Sequence, residues 1–251
     1  MLHLSNDRKT AFKKNDKNSY GLLPGPTPRG TCPNATVGTC GCWSLSSTGK
    51  SRVCYAEKIR KLYKTVDKNL RYNTKTLKKA DFEKTIKILK DTFNRYLIEG
   101  SGKSFRIHWS GDLFSVKYAS ALNVAILDTP ELFFWNYTRS YKYLEIFKHT
   151  SNLITYLSID TENFNECIKY FLNNRDLLNF KRIRISYMNS EDDFIKRLND
   201  NFDFGLEKLN LKYVVPCPVD IGELAMIGAC SKCRLCNSKR GEDKVIFFKI
   251  R

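Results

Sequence analysis

No stretch of this chain is long and apolar enough to span a bilayer, which leaves no candidate transmembrane helix. The opening MLHLSNDRKTAFKKNDKNSY holds no apolar run of about 7–15 residues, so no secretory leader is expected and the default compartment is the cytoplasm. Glycine-rich phosphate cradles are missing too. No GxGxxG opens a helix and no P-loop occurs, which weakens a nucleotide-binding open sheet. No internal repeat and no long low-complexity segment interrupts the chain. Acidic residues are the minority, with 26 Asp and Glu against 43 Lys and Arg, a formal charge of +17.

What is present bounds the answer further. A chain of 251 residues suits one large domain or two modest ones and can bury a real core. Hydrophobic residues at 42% and aromatics at 13% favour a folded protein over a disordered one. The positive charge speaks of partners rather than fold, and it favours a polyanion, with DNA ahead of RNA. The competing reading is a Lys-, Asn-, Ile- and Tyr-rich composition inherited from an AT-rich genome. Nine cysteines in a reducing compartment argue for metal ligands rather than disulfides.

Residues 1–31 read as an irregular entry segment ending in the turn-rich GLLPGPTPRGT. Residues 32–100 hold a first cysteine loop and basic helices, expected at about 52–72 and 77–99. In the second, Phe82, Ile86, Leu89, Phe93 and Leu97 share one face. From 101 to 251 short β-rich runs alternate with helical ones. Strands are expected at Ser104–His108, Leu132–Tyr137, Leu153–Ile159, Arg182–Ser186, Lys212–Val215 and Val245–Lys249. Helices are expected at about 115–127, 140–149, 161–174 and 189–202. Connections this long suit crossovers between parallel strands. The expected fold is therefore α/β: a complete or partial (β/α) barrel of the TIM-barrel kind, or an open doubly wound sheet, with cysteine metal sites near both ends of the chain.

In such folds functional groups follow the C-terminal ends of strands. Polar or metal-binding residues do so here after five successive strands: His108-Trp109-Ser110-Gly111-Asp112, Asn136-Tyr137-Thr138-Arg139-Ser140, Ser158-Ile159-Asp160, Ser186-Tyr187 and Pro216-Cys217-Pro218. Asp112 and Asp160 are candidates for a carboxylate pair, one a nucleophile and the other a general acid or base. Arg139 could grip a phosphate or carboxylate, His108 could shuttle a proton, and Ser110 belongs to the same rim. Each has a structural alternative. For Asp160 or Ser110 it is a helix cap, for His108 a place in the core, and for Arg139 a surface salt bridge.

The sharpest motif is Cys217 with Cys230, Cys233 and Cys236, whose C-x2-C-x2-C brings three thiolates round one point. Zinc and a [4Fe-4S] cluster both accept such a set. Lys232, Arg234, Lys239 and Arg240 flank it. Cys32, Cys40, Cys42 and Cys54 form a looser second group, while Cys167 reads as a small buried hydrophobe. The segment 57–79 interleaves Lys58, Arg60, Lys61, Lys64 and Arg71 with Tyr63 and Tyr72, a composition suited to backbone contact and base stacking, or else to a solvated helix face.

Together CPNATVGTCGCW…CYA, SGDLFS, NYTRS, SIDTEN and PCP…CSKCRLC resemble the gene-product-88 family of bacteriophage proteins, from about residue 20 to residue 237. That resemblance implies phage origin, the cytoplasm of an infected bacterium, and cysteine-bound metal rather than a particular reaction. The pattern is also similar to the tRNA-guanine and 7-deazaguanine DNA transglycosylases, α/β barrels with a DSGGF-type motif and a zinc site. Ser110-Gly111-Asp112-Leu113-Phe114 stands where that motif would be, with Trp109 in place of its Asp. Asp112 would have to substitute as the catalytic carboxylate, and Cys217 for the final zinc histidine. Radical S-adenosylmethionine enzymes are the other comparison, with a partial barrel, an early cysteine loop like that ending in Cys54-Tyr55-Ala56 and often an auxiliary cluster. Their C-x3-C-x2-C spacing is missing here. The leading functional expectation is a transferase-type enzyme that modifies a nucleic-acid base, for example by guanine/7-deazaguanine exchange on DNA. The alternatives are an iron–sulfur radical enzyme and a non-enzymatic, zinc-dependent nucleic-acid-binding protein.

Overall fold

The computed structural model describes residues 1–6, 16–38, 40, 54–100, 102–174, 182–224, 228–236 and 238–249. A short α1 (Pro33–Thr36) precedes the helical region, where α2 (Tyr55–Leu62), α3 (Lys64–Lys79) and α4 (Phe82–Glu99) replace the two helices expected. The first break falls at Tyr63, whose extended backbone (φ −121°, ψ 101°) ends α2 and begins α3. The second falls at Asp81, whose carboxylate caps α4 by accepting the Lys84 N–H at 2.8 Å. Thr85, Ile88, Leu89, Thr92, Phe93 and Tyr96 then line the buried face of α4 at helical spacing.

The rest alternates as the sequence suggests. β1 (Ser104–Arg106), α5 (Val116–Leu127), β2 (Phe133–Thr138), β3 (Leu153–Ile159), α6 (Phe164–Asn173), β4 (Ile183–Asn189), α7 (Phe194–Phe202), β5 (Tyr213–Pro216), α8 (Ala229–Cys233) and β6 (Lys244–Lys249) follow in order. The helix expected at 140–149 is a 3₁₀ helix, Tyr141–Phe147. β4 runs on to Asn189, so Ser186 and Tyr187 lie inside the strand rather than beyond it.

All six strands are parallel, in the order β1-β2-β3-β4-β6-β5. The sheet is open. β1 and β5 are edge strands, so the complete-barrel expectation is not met; closure would need the outer strands to pair. β6 enters between β4 and β5 because it brings buried Val245, Ile246 and Phe247, which suit a central strand. β5 begins at Tyr213, 57% exposed, and ends at Pro216, which has no N–H to give. The entry segment borders β1 through bridges between Ser5 and Ser19 and between Ser19 and Arg106.

Side-chain alternation separates the two faces. On one face α4 and α5 pack over Phe105 and Phe134 in an aromatic core, with Phe93 centred 5.4 Å and 4.7 Å from those rings. On the same face α6 and α7 cover Leu157, Ile159, Ile185, Tyr187, Val245 and Phe247. The other face carries Trp135, Ile154, Tyr156 and Ile246, and it is covered by Cys217, Leu235 and their neighbours rather than by a long helix. The doubly wound arrangement, with helices on both faces, is thus not seen among the described residues.

Candidate functional site at the strand ends and the two cysteine groups

Parallel strands place all their C-terminal ends on one edge. Just past β1 the chain turns sharply at His108 (φ 55°) and Gly111 (φ 81°), and this turn sets Asp112 beneath the end of β2. Asp112 is buried. Its Oδ1 accepts from the Thr138 hydroxyl (2.5 Å) and the Leu113 N–H (2.7 Å), and its Oδ2 accepts from the Arg139 N–H (2.9 Å). Burial raises its carboxyl above the ordinary range, and these hydrogen bonds oppose the rise. Asp160, also buried, accepts at Oδ2 from the Arg139 guanidinium at 2.6 Å and at Oδ1 from the Glu162 and Asn163 N–H groups at 3.0 and 3.3 Å. The structure therefore brings Asp112, Arg139 and Asp160 together, with Arg139 bridging the carboxylates through its main chain and side chain. Asp160 closes the turn that leads into α6, and the residue at that helix's N-cap position is Asn163.

His108 and Ser110 belong to the packing. The Ser110 hydroxyl donates to the Leu22 carbonyl at 2.8 Å. Nε2 of His108 lies 2.6 Å from the Tyr118 hydroxyl, which lies 2.6 Å from that of Tyr20. Burial pushes the His108 pKa down to about 3, so the ring stays neutral near pH 7 and does not suit the proton shuttle expected of it. Gly111 is required sterically as well as conformationally. A Cβ there would stand 2.4 Å from Thr31 Oγ1 and 2.7 Å from Leu22 Cβ. Gly111→Ala should cost about 2–3 kcal/mol, from left-handed strain plus the clash, read as a lowered urea midpoint. An unchanged midpoint would refute this account of the turn.

The first cysteine group lies beside this turn. Cys32 follows the GLLPGPTPRGT turn, Cys40 is buried, and Cys54 is the residue before α2. Burial raises the Cys32 thiol well above its ordinary value, and the nearby charges of Asp112, Cys40 and Cys54 raise it further. Burial also raises Cys54, against main-chain hydrogen bonds from Glu57 and Ala56 at the start of α2. The Lys78 ammonium is close to Cys32 and donates to the Gly30 carbonyl at 2.6 Å. Cys42 lies outside the described residues.

The second group sits on the sheet face that the long helices leave uncovered. Cys217, Cys230, Cys233 and Cys236 line one apolar cavity of about 20 Å³ with Pro218, Val219, Ala229, Leu235 and Ile246. Burial pushes the Cys236 thiol up to about 12, against a hydrogen bond from the Tyr137 hydroxyl; Cys217 and Cys233 add to the rise. Arg106, stacked over Trp135 and Tyr137 at 5.1 and 5.6 Å, opposes it. Among the described residues no three His, Cys, Asp or Glu side chains stand in a metal-holding arrangement, so either group would need its side chains to turn inward to ligate. Cys167, on α6, is buried in the core, as expected.

The basic residues divide. Lys58, Lys61 and Lys64 are exposed, as are Tyr63 and Tyr72 beside them. Arg60 is held by Glu57 (2.5 Å) and Asp67 (2.8 Å), exposed Arg71 by Asp67 (2.6 Å), and Lys61 reaches Glu57 at 3.5 Å, so these three are already partnered. Arg234, Lys239 and Arg240 are exposed, though Arg240 also donates to the Cys233 carbonyl at 2.6 Å. Arg106 escaped sequence reasoning altogether, while Tyr137, Thr138 and Lys78 lay in segments marked by the sequence without a role of their own; each reaches its partner through the tertiary fold. No described helix is long and apolar enough to cross a membrane.

Residues 2–239 match the family described as gene product 88. The chain belongs to the gene product 88 family. It is 30% identical over 235 residues to the gene 88 protein of Mycobacterium phage L5, covering 89% of this chain and 84% of that one. It is 30% identical over 243 residues to the gene 88 protein of Mycobacterium phage D29, with 92% and 86% covered. No solved structure matches the chain. The gene product 88 match covers five of the six strands, all but β6, and both cysteine groups. The likeness to transglycosylases and radical enzymes rests on motifs alone.

Proposed function

We propose that this protein is an iron–sulfur enzyme of the kind that uses S-adenosylmethionine, with its reactive centre at Cys32, Cys40 and Cys54. The observation that carries this reading is the gathering of these three thiols, from a loop and from the start of α2, with Cys32 near Asp112 at the C-terminal edge of an open parallel sheet. That edge is where sheets of this kind hold their ligands. The surroundings fit a thiolate-bound cluster. Main-chain hydrogen bonds from Gly25, Ala56 and Glu57 reach Cys32 and Cys54, and the Lys78 ammonium offsets thiolate charge. Such a cluster, when bound, supplies an electron for cleaving S-adenosylmethionine. The chain's own contribution is to seat Cys54 at the helix start and to hold the Gly111 turn against Thr31 and Leu22.

Protein purified without oxygen should be brown, carry iron and sulfide, and release methionine from S-adenosylmethionine under a strong reductant. Cys54→Ser should lose both the iron and the cleavage. A colourless wild-type protein that binds only zinc would overturn the reading.

Nucleic acid is the substrate class we favour, on the exposed Lys58, Lys61 and Lys64 beside Tyr63 and Tyr72. Binding to single-stranded DNA should weaken steeply with salt, and Lys58→Ala/Lys61→Ala/Lys64→Ala together should reduce the slope by about 2–3. An unaltered slope would remove these residues from the interface. Exchange of guanine for a 7-deazaguanine through an attacking carboxylate is the less favoured chemistry. Asp112 and Asp160 would first have to give up the hydrogen bonds that position the rim.

A further inference from the structure

The face of the sheet opposite α4–α7 poses a packing problem. Trp135, Ile154, Tyr156 and Ile246 are all buried there, yet what lies over them is a short turn-rich segment with a five-residue helix, α8. A cover so small buries little apolar area of its own, and small units of this sort are commonly held by a metal. The segment returns to one point from two directions. Cys217 leaves β5 with its N–H bonded to the Phe247 carbonyl at 2.8 Å. Cys230 and Cys233 lie on α8, and Arg234 closes that helix in the left-handed region, its N–H bonded to the Cys230 carbonyl at 2.8 Å, before Cys236.

We infer that Cys217, Cys230, Cys233 and Cys236 hold a single zinc ion that clamps this segment to the sheet. The inference stands apart from the proposed reaction, because it concerns other residues and another metal. Three observations support it. The donor set is four thiolates with C-x2-C-x2-C spacing, which suits a closed tetrahedral site. All four thiols line one shared apolar cavity, which brings the donors from β5, α8 and the turn after it to a single place. An outer shell is already in place. The Tyr137 hydroxyl donates to Cys236, Arg106 lies near enough to temper its charge, and buried Arg184 donates to the Ser238 carbonyl at 2.7 Å and to the Tyr156 hydroxyl at 3.3 Å. Gly241 lets that shell close, since a Cβ there would stand 2.3 Å from the Leu235 carbonyl oxygen and 3.1 Å from Arg184.

The test uses the full chain with the first group disabled by Cys32→Ser and Cys54→Ser. Elemental analysis should find about one zinc per chain, and cobalt should replace it with the intense visible bands of a tetrahedral four-sulfur site. Adding Cys233→Ser and Cys236→Ser should abolish both, whereas Cys167→Ser should leave both intact. Should the quadruple variant fail to fold, the cobalt spectrum of the double variant still decides the matter. Iron with sulfide in the double variant, or no bound metal, would overturn the inference. Failure of the proposed reaction looks different, as loss of iron and of S-adenosylmethionine cleavage in the wild type with this zinc retained.

Discussion

Asp112→Ala should lower the stability of the fold by about 3 kcal/mol, because it strands buried donors rather than because it removes a reacting group. The Thr138 hydroxyl and the N–H groups of Leu113 and Arg139 all point at the two carboxylate oxygens. Removing the acceptor leaves them buried without a partner. Relief from desolvating a buried carboxylate returns part of that cost. Asp112→Asn keeps one carbonyl oxygen and should cost less than half as much. Urea unfolding of the three proteins is the measurement. A wild-type midpoint for Asp112→Ala would mean that these hydrogen bonds carry no weight, and the carboxylate would again be open to a role in chemistry.

Acidification should destabilise the protein through His108, by up to about 4 kcal/mol between pH 6.5 and pH 3. Burial holds the folded-state pKa at about 3, against about 6.5 for an unfolded histidine. Between those values the unfolded chain binds the proton and the folded chain does not, so unfolding gains as the pH falls. The contribution is complete above pH 6.5 and is lost on the way down to about pH 3. Asp112 acts in the opposite sense. Its raised carboxyl favours the folded state at low pH and loses that advantage as the pH climbs above its unfolded value. The two can be separated with His108→Asn, since asparagine tolerates the left-handed backbone at this position. The variant should be less stable at pH 7, through lost packing against Tyr20 and Tyr118, and should have a flatter stability profile from pH 6.5 downward. Identical slopes in variant and wild type would show that His108 does not titrate as its burial requires.

Much of the scaffold was legible in the sequence. Leu153–Ile159 was delimited correctly, because an apolar run between polar turns can be little else in a chain that alternates with helices. The stripe expected on α4 was offset: Leu89 and Phe93 are buried, but Phe82, Ile86 and Leu97 are only half-buried, and Thr85, Ile88, Thr92 and Tyr96 fill the core beside them. Other features had no local signature. Tyr63 breaks the basic helix although its neighbours are good helix formers, and only the backbone records it. The residues after Ser140 wind into a 3₁₀ helix that seats Tyr143 and Phe147 in one core and Leu144 in the other. At the rim Asp112 and Asp160 meet around Arg139, and their hydrogen bonds come from residues 21, 26 and 27 positions away or from turns closed by the carboxylates themselves.

By itself the sequence determined the alternation of parallel strands and helices, the family, the cysteine spacing and the strongly basic character. Period, spacing and charge are properties of neighbouring residues, and they survive without a fold. Tertiary structure alone decided that the sheet stays open, with β6 beside β4, since strand order depends on which apolar strand competes best for the centre. It also decided that Cys32 comes near Asp112 as well as Cys40 and Cys54, and that Tyr137 and Arg106 reach Cys236. Those juxtapositions join residues tens of positions apart, and no pattern along the chain encodes a distance that only packing creates.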